Sequence, residues 1–138
     1  RLDLLSYELS NRYDKNLTCV LETPFTVKDG YEVMKDYLEK TSKEERPELF
    51  FASSDAIAVG AMRAMIESNV KIPEEIGIIA FNDVSVAKYV MPSLSTVKVY
   101  TEQMGRLSVD TLNSLLDEEM LVPIKIEIGT QLIERESH

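Results

Sequence analysis

Apolar positions along this chain follow two different periods, and together they predict an alternation of helices and strands. Apolar residues spaced by three or four positions mark one face of a helix, and they predict amphipathic helices over residues 2–13, 26–38 and 101–117. Residues 56–66 carry a single charged side chain, that of Arg63. This segment therefore predicts a helix that is buried on more than one side.

Short apolar runs predict the strands. Residues 49–52 and 76–81 are continuously apolar, as expected for strands of a parallel sheet that is covered on both faces. The order of helices and strands predicts an α/β fold, with a parallel sheet and helices on both faces. Weaker β-prone or alternating runs predict further short strands at residues 17–21, 97–100, 124–128 and 132–133.

Polar side chains follow the predicted strands in three places, at residues 23–26, 53–55 and 82–83. Parallel sheets bind ligands at the carboxyl ends of their strands, so these segments are candidate ligand contacts. Each also has a structural alternative. Serine and aspartate at 53–55 suit a helix N-cap, and asparagine and aspartate at 82–83 suit a turn. Phe25 fits the edge of the core or a platform beneath a sugar ring, whose C–H face is apolar.

Charge and cysteine content narrow the classes of protein. The 138 residues include 15 basic and 24 acidic side chains, which gives a net charge of −9. Such a body has no general attraction to a phosphate backbone, so we do not expect this chain to bind nucleic acid by itself. The single cysteine, Cys19, excludes an internal disulfide. No run approaches the ~18 apolar residues of a membrane span, and the chain starts inside a predicted helix, so we expect a fragment of a protein without membrane contact.

Groups suited to catalysis are sparse, and we expect no enzyme. The only histidine is the last residue, His138, and Cys19 lies in a β-prone run, where a buried and inert thiol is expected. There is no G-x-S-x-G elbow and no glycine-rich phosphate loop. We therefore expect neither a metal site nor a cofactor.

Five separated motifs along the chain occur together in one known family. They are FFASSDAIAVGAMRAMIESN at 50–69, VKIPEEIGIIAFND at 70–83, PSLSTV at 92–97 with MG at 104–105, QLIERES at 131–137 and FTVKDGY at 25–31. In their order along the chain, the five motifs resemble the signatures of the LacI/GalR family of bacterial transcription regulators, and they cover nearly the whole chain. Within that family they look closest to repressors of galactoside use.

The resemblance implies a periplasmic-binding-protein-like fold of type I, in which a sugar effector binds between two α/β lobes. It implies that residues 1–99 and 129–138 form part of the C-terminal lobe, and that residues 100–128 cross to an N-terminal lobe absent from this chain. A helix-turn-helix, also absent here, would read the operator DNA. The implied protein is a cytoplasmic, homodimeric repressor of carbohydrate genes that responds allosterically to a sugar and needs no cofactor.

The resemblance also assigns binding roles to individual residues. Arg1 corresponds to the family's arginine that fixes ligand hydroxyls, a task that suits a planar guanidinium. Phe25 corresponds to the aromatic residue that stacks on the sugar. Ser54 replaces a common asparagine, and Asp55 matches a near-invariant aspartate. Asn82 replaces a common aspartate, which removes a charge-assisted acceptor for sugar hydroxyls.

A dimer surface is implied as well, on residues 56–68 and 86–92. On these segments we expect exposed apolar side chains that pack against a second copy of the chain. They are Met62, Met65, Tyr89 and Val90.

Two other classes of protein share this pattern of strands and helices. A transport-associated sugar-binding protein of periplasmic type would have the same lobes, with an upstream export signal in place of the helix-turn-helix. A small flavodoxin-like enzyme would share only the α/β alternation, and turnover of phosphoesters without sugar binding would support it.

Overall fold

The computed structural model describes residues 2–13, 19–117 and 123–138, which contain helices where the sequence predicts them and a four-stranded sheet. Short 3-10 turns lie in two of the connections, at Lys43–Glu45 and Ser85–Lys88. The helices are α1 (Leu2–Tyr13), α2 (Val27–Lys40), α3 (Asp55–Glu67) and α4 (Thr101–Asp117), and the strands are β1 (Leu49–Phe51), β2 (Gly77–Asn82), β3 (Ser95–Lys98) and β4 (Gln131–Ile133).

The sheet has the order β1-β2-β3-β4. β1, β2 and β3 are parallel, with Phe51 opposite Ile79 and Asn82 opposite Lys98, which confirms the predicted α/β fold with its parallel sheet. β4 pairs with β3 in the antiparallel direction. Antiparallel edge strands are common on otherwise parallel sheets, because an edge can pair with a strand of either direction.

Two predicted strands are not formed in the part of the chain that the structure describes. Residues 19–21 and 124–128 have no regular secondary structure there, and residues 17 and 18 lie outside the described ranges. Ile124 and Ile126 alternate as a strand would, but their side chains are exposed. A strand needs a neighbour for its backbone N–H and C=O groups, and the described sheet provides none for this segment.

The core is built around α3, which packs against α2 on one side and β2 on the other. The apolar composition of residues 56–66 requires such double cover, and the predicted buried helix is confirmed. Phe50 extends the core to α2, where its ring meets that of Tyr37 edge to face at a centroid distance of 5.6 Å. The fully or largely buried residues of α3 are Asp55, Ile57, Ala58, Gly60, Ala61, Met62, Ala64 and Met65.

The prediction that Met62 and Met65 are exposed was wrong. Met62 is 2% exposed and Met65 is fully buried, because α2 and the sheet together cover the faces of α3 on which they lie. Val90 is half-buried and packs against the same core. Of the four apolar side chains expected on the dimer surface, Tyr89 alone is widely exposed, at 76%.

Two glycines allow α2 and α3 to touch through their backbones. A Cβ atom on Gly30 would lie 2.8 Å from the Cα atom of Ile57, and one on Gly60 would lie 2.6 Å from the backbone nitrogen of Tyr31. Any side chain at these positions would force the helices apart. The close approach accounts for the deep burial of α3.

The start of α2 and the end of α3 follow ordinary capping chemistry. Thr26 is the N-cap of α2, where its Oγ1 atom accepts a hydrogen bond from the Asp29 N–H at 3.1 Å. Asn69, with a φ of 57°, follows α3 in the left-handed conformation that ends many helices.

α1 and α4 contribute little to this core. α1 has no buried residue, and in the described part of α4 the large apolar side chains are exposed. Leu49 and Phe51 are also exposed on β1, so the helix layer expected on the second face does not cover this strand. No helix among the described residues is long and apolar enough to cross a membrane. The exposed large side chains of α4 are Met104, Leu107, Val109, Leu112, Leu115 and Leu116.

Candidate ligand-binding edge of the sheet

The candidate site lies at the edge where the three parallel strands end. Because β1, β2 and β3 run in the same direction, the residues that follow them emerge on one side of the sheet. We call residues 52–54, 82–84 and 98–100 the carboxyl edge. Ser54 and Asn82, both candidates from the sequence, belong to it.

Ser54 serves as the N-cap of α3. Its buried hydroxyl oxygen accepts a hydrogen bond from the Ile57 N–H at 3.3 Å, so the capping alternative is confirmed. The hydroxyl proton is not used in this contact and can still be donated. Contact between Ser54 and a ligand stays a prediction.

Asp55 does not face a ligand, and its predicted role as a binding residue was wrong. The residue is 0% exposed, and both carboxylate oxygens accept hydrogen bonds from the protein. Oδ2 accepts from the Val84 N–H at 2.7 Å, and Oδ1 accepts from the Thr96 hydroxyl at 2.5 Å. The carboxylate therefore joins the start of α3 to β3 and to the turn after β2.

The turn after β2 places Asn82 on the surface. Asn82 has a φ of 119° and Asp83 a φ of 58°, and non-glycine residues rarely adopt such positive values. Asn82 is exposed, so its amide can both donate to and accept from a bound molecule. Asn82 and Asp83 thus form a turn that also leaves the Asn82 side chain open to a ligand. Contact between Asn82 and a ligand stays a prediction.

The backbone of this turn is held from two directions. The Asp83 N–H donates to the Thr96 Oγ1 atom at 3.3 Å, next to the bond between Val84 and Asp55. The Asp83 carboxylate accepts from the Arg135 guanidinium at 2.7 Å, and Arg135 also donates to the Leu94 carbonyl at 2.6 Å. Each of these bonds joins the turn or β3 to a distant part of the chain.

Phe25 is 69% exposed and directly precedes the N-cap of α2. The alternative that placed it at the edge of the core was therefore wrong, since most of the ring is open to solvent. An exposed aromatic ring is suited to stack on an apolar sugar face, and this role stays a prediction. Arg1, the remaining candidate, lies outside the described residues.

Sequence reasoning missed Thr96 and Arg135 as contributors to this edge. Thr96 is a fully buried polar residue of β3, and such a group needs a partner. That requirement was the one available signal for it. Arg135 lies in the QLIERES motif, which was used only for the resemblance.

The charged side chains at and beside the carboxyl edge contact other groups of the protein. Asp55 and Asp83 are engaged by protein donors, and Lys98 leans over the Tyr100 ring, with its Nζ atom 5.5 Å from the centroid. Among the described residues, no group of three or more histidine, cysteine, aspartate or glutamate side chains could hold a metal ion.

A separate groove lies where α2 and α3 cross. At its rim Glu67 accepts from the Tyr31 hydroxyl at 2.6 Å and from Arg63 at 2.5 Å. The hydrogen bond from Tyr31, with that from Arg63, lowers the pKa of Glu67, and the same bond to Glu67 raises the pKa of Tyr31. None of the residues of the carboxyl edge lines this groove.

Comparison with known proteins identifies the domain type. The family model of the periplasmic binding protein-like domain matches residues 8–138. The HTH-type transcriptional regulator GalR of Streptococcus thermophilus is 43% identical over 118 residues, which are 86% of this chain and 35% of that protein. The chain thus spans about a third of the length of this relative.

Solved structures agree with this match. The Escherichia coli transcriptional repressor ascG superposes with a TM-score of 0.84 at 29% identity, over 100% of this chain and 49% of that one. A LacI family transcriptional regulator from Lactobacillus casei, solved with bound sucrose, has a TM-score of 0.71 at 26% identity over 82% of this chain and 41% of that one. The chain therefore belongs to the periplasmic binding protein-like domain family, and it is similar to part of the LacI/GalR-type transcriptional regulators.

Proposed function

We propose that this chain is the sugar-binding portion of a transcriptional repressor of carbohydrate genes. The observation that carries the proposal is the carboxyl edge, where an open amide at Asn82 ends β2 and a capping hydroxyl at Ser54 follows the adjacent parallel strand β1. The sucrose bound to the Lactobacillus casei relative supports the same class of ligand.

The side chains match the chemistry of a sugar. An amide donates to and accepts from hydroxyl groups, and the exposed ring of Phe25 can cover the C–H face of a pyranose. Because the nearby carboxylates of Asp55 and Asp83 are engaged within the protein, Asn82 and Ser54 would hold the ligand by neutral hydrogen bonds. Arg1 would add a guanidinium that donates to two adjacent hydroxyls.

The exposed apolar side of α4 supports a second lobe. Its leucines, with Met104 and Val109, form a surface that a monomeric protein would be expected to cover. In the proposal, residues 1–99 and 129–138 form the C-terminal lobe and residues 100–128 cross to an N-terminal lobe, with the sugar between the two. A ligand that contacts both lobes fixes their relative orientation, which changes how DNA-binding heads sit on an operator.

The proposal includes a homodimer, formed through the segment around Ser85–Lys88. The exposed apolar side chains Val84, Val86, Tyr89 and Met91 lie together along this segment. On α3 the exposed Ile66 and Arg63 replace the buried methionines as candidate contacts. A symmetric pair of such surfaces would bury these side chains.

Calorimetric titration of the full-length gene product with galactosides and glucosides tests the proposal. We expect saturable binding of at least one of these sugars, and Phe25→Ala should weaken it by roughly tenfold through loss of the stacking surface. Tyr89→Ala is the matched control, since it removes a similarly exposed aromatic ring that is not among the predicted ligand contacts. Binding that is absent, or that both variants reduce equally, would contradict the proposal.

A further inference from the structure

The turn that carries Asn82 is held by side chains that cannot themselves reach a ligand. Asp55 and Thr96 are both fully buried, and each accepts a backbone N–H of the turn. Asp55 accepts from Val84 at 2.7 Å, and Thr96 accepts from Asp83 at 3.3 Å. The Thr96 hydroxyl also donates to Asp55 at 2.5 Å, so the two side chains form one hydrogen-bonded unit, which we call the Asp55–Thr96 bracket.

The turn needs such support because of its backbone conformation. Asn82 and Asp83 are consecutive non-glycine residues with positive φ values, 119° and 58°. Conformations of this kind persist where surrounding contacts determine them, and they are frequent at functional sites. Without the bracket, relaxation of either residue would redirect the Asn82 side chain.

We infer that the Asp55–Thr96 bracket positions the Asn82 amide for the sugar, so that Asp55 and Thr96 are positioning residues of the binding site. This inference rests on the function proposed above. According to this inference, Asp55 and Thr96 affect the affinity for the sugar although neither side chain contacts it. The bracket joins three elements at one point, since its partners come from the start of α3, from β3 and from the turn after β2.

Thr96→Val tests the bracket in the full-length gene product, because valine keeps the shape of threonine and removes the hydroxyl. Two measurements are made: amide hydrogen exchange at Asp83 and Val84, and calorimetric affinity for the best-bound galactoside or glucoside. We expect exchange at both amides to accelerate at least roughly tenfold, and the sugar dissociation constant to rise by roughly tenfold or more. Thr96→Ser, which restores the hydroxyl, should recover most of both.

Ile76→Val is the matched control for simple destabilisation. Ile76 is buried just before the opposite end of β2, so the variant loosens the core without touching the bracket. Its exchange rates at Asp83 and Val84 and its affinity should stay within about twofold of the wild type. If Thr96→Val does not fold, Asp55→Asn replaces it, since the amide keeps one acceptor and presents a donor to Thr96 in place of the other.

Amide exchange and sugar affinity together distinguish a failure of the bracket from a failure of the proposed sugar binding. Unchanged exchange at Asp83 and Val84 in the bracket variant would overturn the inference, whatever the affinity. Faster exchange with unchanged sugar affinity would overturn it as well. A wild-type protein that binds none of the sugars would refute the proposed function. If amide exchange in the bracket variant were nevertheless faster, the bracket would support only the structure of the turn, and its role in sugar binding would be refuted as well.

Discussion

The Arg135 guanidinium donates to the Asp83 carboxylate at 2.7 Å, although 52 positions of sequence separate the two residues. Arg135 and Asp83 are only 17% and 15% exposed at their side chains. A second donor of Arg135 bonds the Leu94 carbonyl. One side chain near the end of the chain therefore fastens the turn after β2 to the start of β3.

Arg135→Met should be strongly destabilising. The variant keeps much of the side-chain volume but leaves the Asp83 carboxylate in a largely buried position without its cation, which costs about 3 kcal/mol of unfolding free energy. Urea unfolding followed by circular dichroism measures the loss. Arg12→Met, which removes an exposed arginine paired with Glu8 on α1, should leave the midpoint almost unchanged, and equal effects of the two variants would contradict the assigned role of Arg135.

Gly60→Ala should separate α2 from α3. The new Cβ atom would lie 2.6 Å from the Tyr31 backbone nitrogen, and backbone atoms cannot rotate away as a side chain can. We expect a loss of about 3 kcal/mol in unfolding free energy, at the upper end of ordinary overpacking. Gly105→Ala on α4 meets no described atom within 4 Å, so it lacks this steric cost; a neutral Gly60→Ala would show that the helices do not touch.

The local elements of the fold could be predicted from the sequence, because short-range signals determine them. Apolar runs located β1 and β2, and the capping residues at 53–55 located the start of α3. A strand at residues 132–133 was predicted, but its antiparallel direction could not be, since strand direction at an edge depends on where the connecting chain returns. The irregular structure of residues 124–128 could not be predicted either, because alternation of apolar residues indicates a strand only where a neighbouring strand is present.

The candidate site was predicted less well than the fold. Position after a strand correctly indicated that Asn82 is exposed and that Ser54 caps a helix. It could not distinguish a ligand contact from a buried tie at Asp55, whose partners Val84 and Thr96 lie 29 and 41 positions away. Met62 and Met65 were misjudged for a related reason, since one helix does not reveal which of its faces its neighbours cover.

Acidification should weaken the attachment of the C-terminal segment through Glu136. The Ser93 N–H and hydroxyl donate to its carboxylate at 2.9 and 2.8 Å, and these bonds hold the pKa of Glu136 below the ordinary glutamate value of 4.5. Because the pKa of Glu136 is lower in the folded state than in the unfolded state, its ionised carboxylate stabilises the fold at any pH above the unfolded-state pKa. This stabilisation is lost as the pH falls through the folded-state pKa. Stability should therefore decline below about pH 5.

Glu136→Gln measures the share of this decline that belongs to Glu136. The variant should be less stable than the wild type at pH 7 and should converge with it towards pH 3, in thermal unfolding recorded across this range. Glu134→Gln is the matched control, because Glu134 is exposed two residues away. If the difference in stability between Glu136→Gln and the wild type were the same at every pH, the charge of Glu136 would not be involved.

Tyr89→Asp should weaken self-association without damaging the fold. Tyr89 is 76% exposed, so an aspartate there costs the monomer little, whereas in the proposed dimer it would be a buried, unpaired charge. Sedimentation equilibrium should show a dissociation constant raised by at least roughly tenfold. Phe25→Asp, at a similarly exposed aromatic position outside the proposed dimer surface, should not change it; a dimer insensitive to Tyr89→Asp forms through another surface.

The buried Ser137 side chain has a consequence for synthesis on the ribosome. Its hydroxyl donates to the Ile78 carbonyl at 2.6 Å and accepts from the Ser95 N–H at 2.9 Å, which joins β2 and β3 at their amino ends. Ser137 is translated 42 positions after Ser95, so the nascent sheet leaves the exit tunnel with these two backbone groups unsatisfied. The α2–α3 pair can assemble during elongation, whereas closure of the sheet waits until Ser137 has emerged.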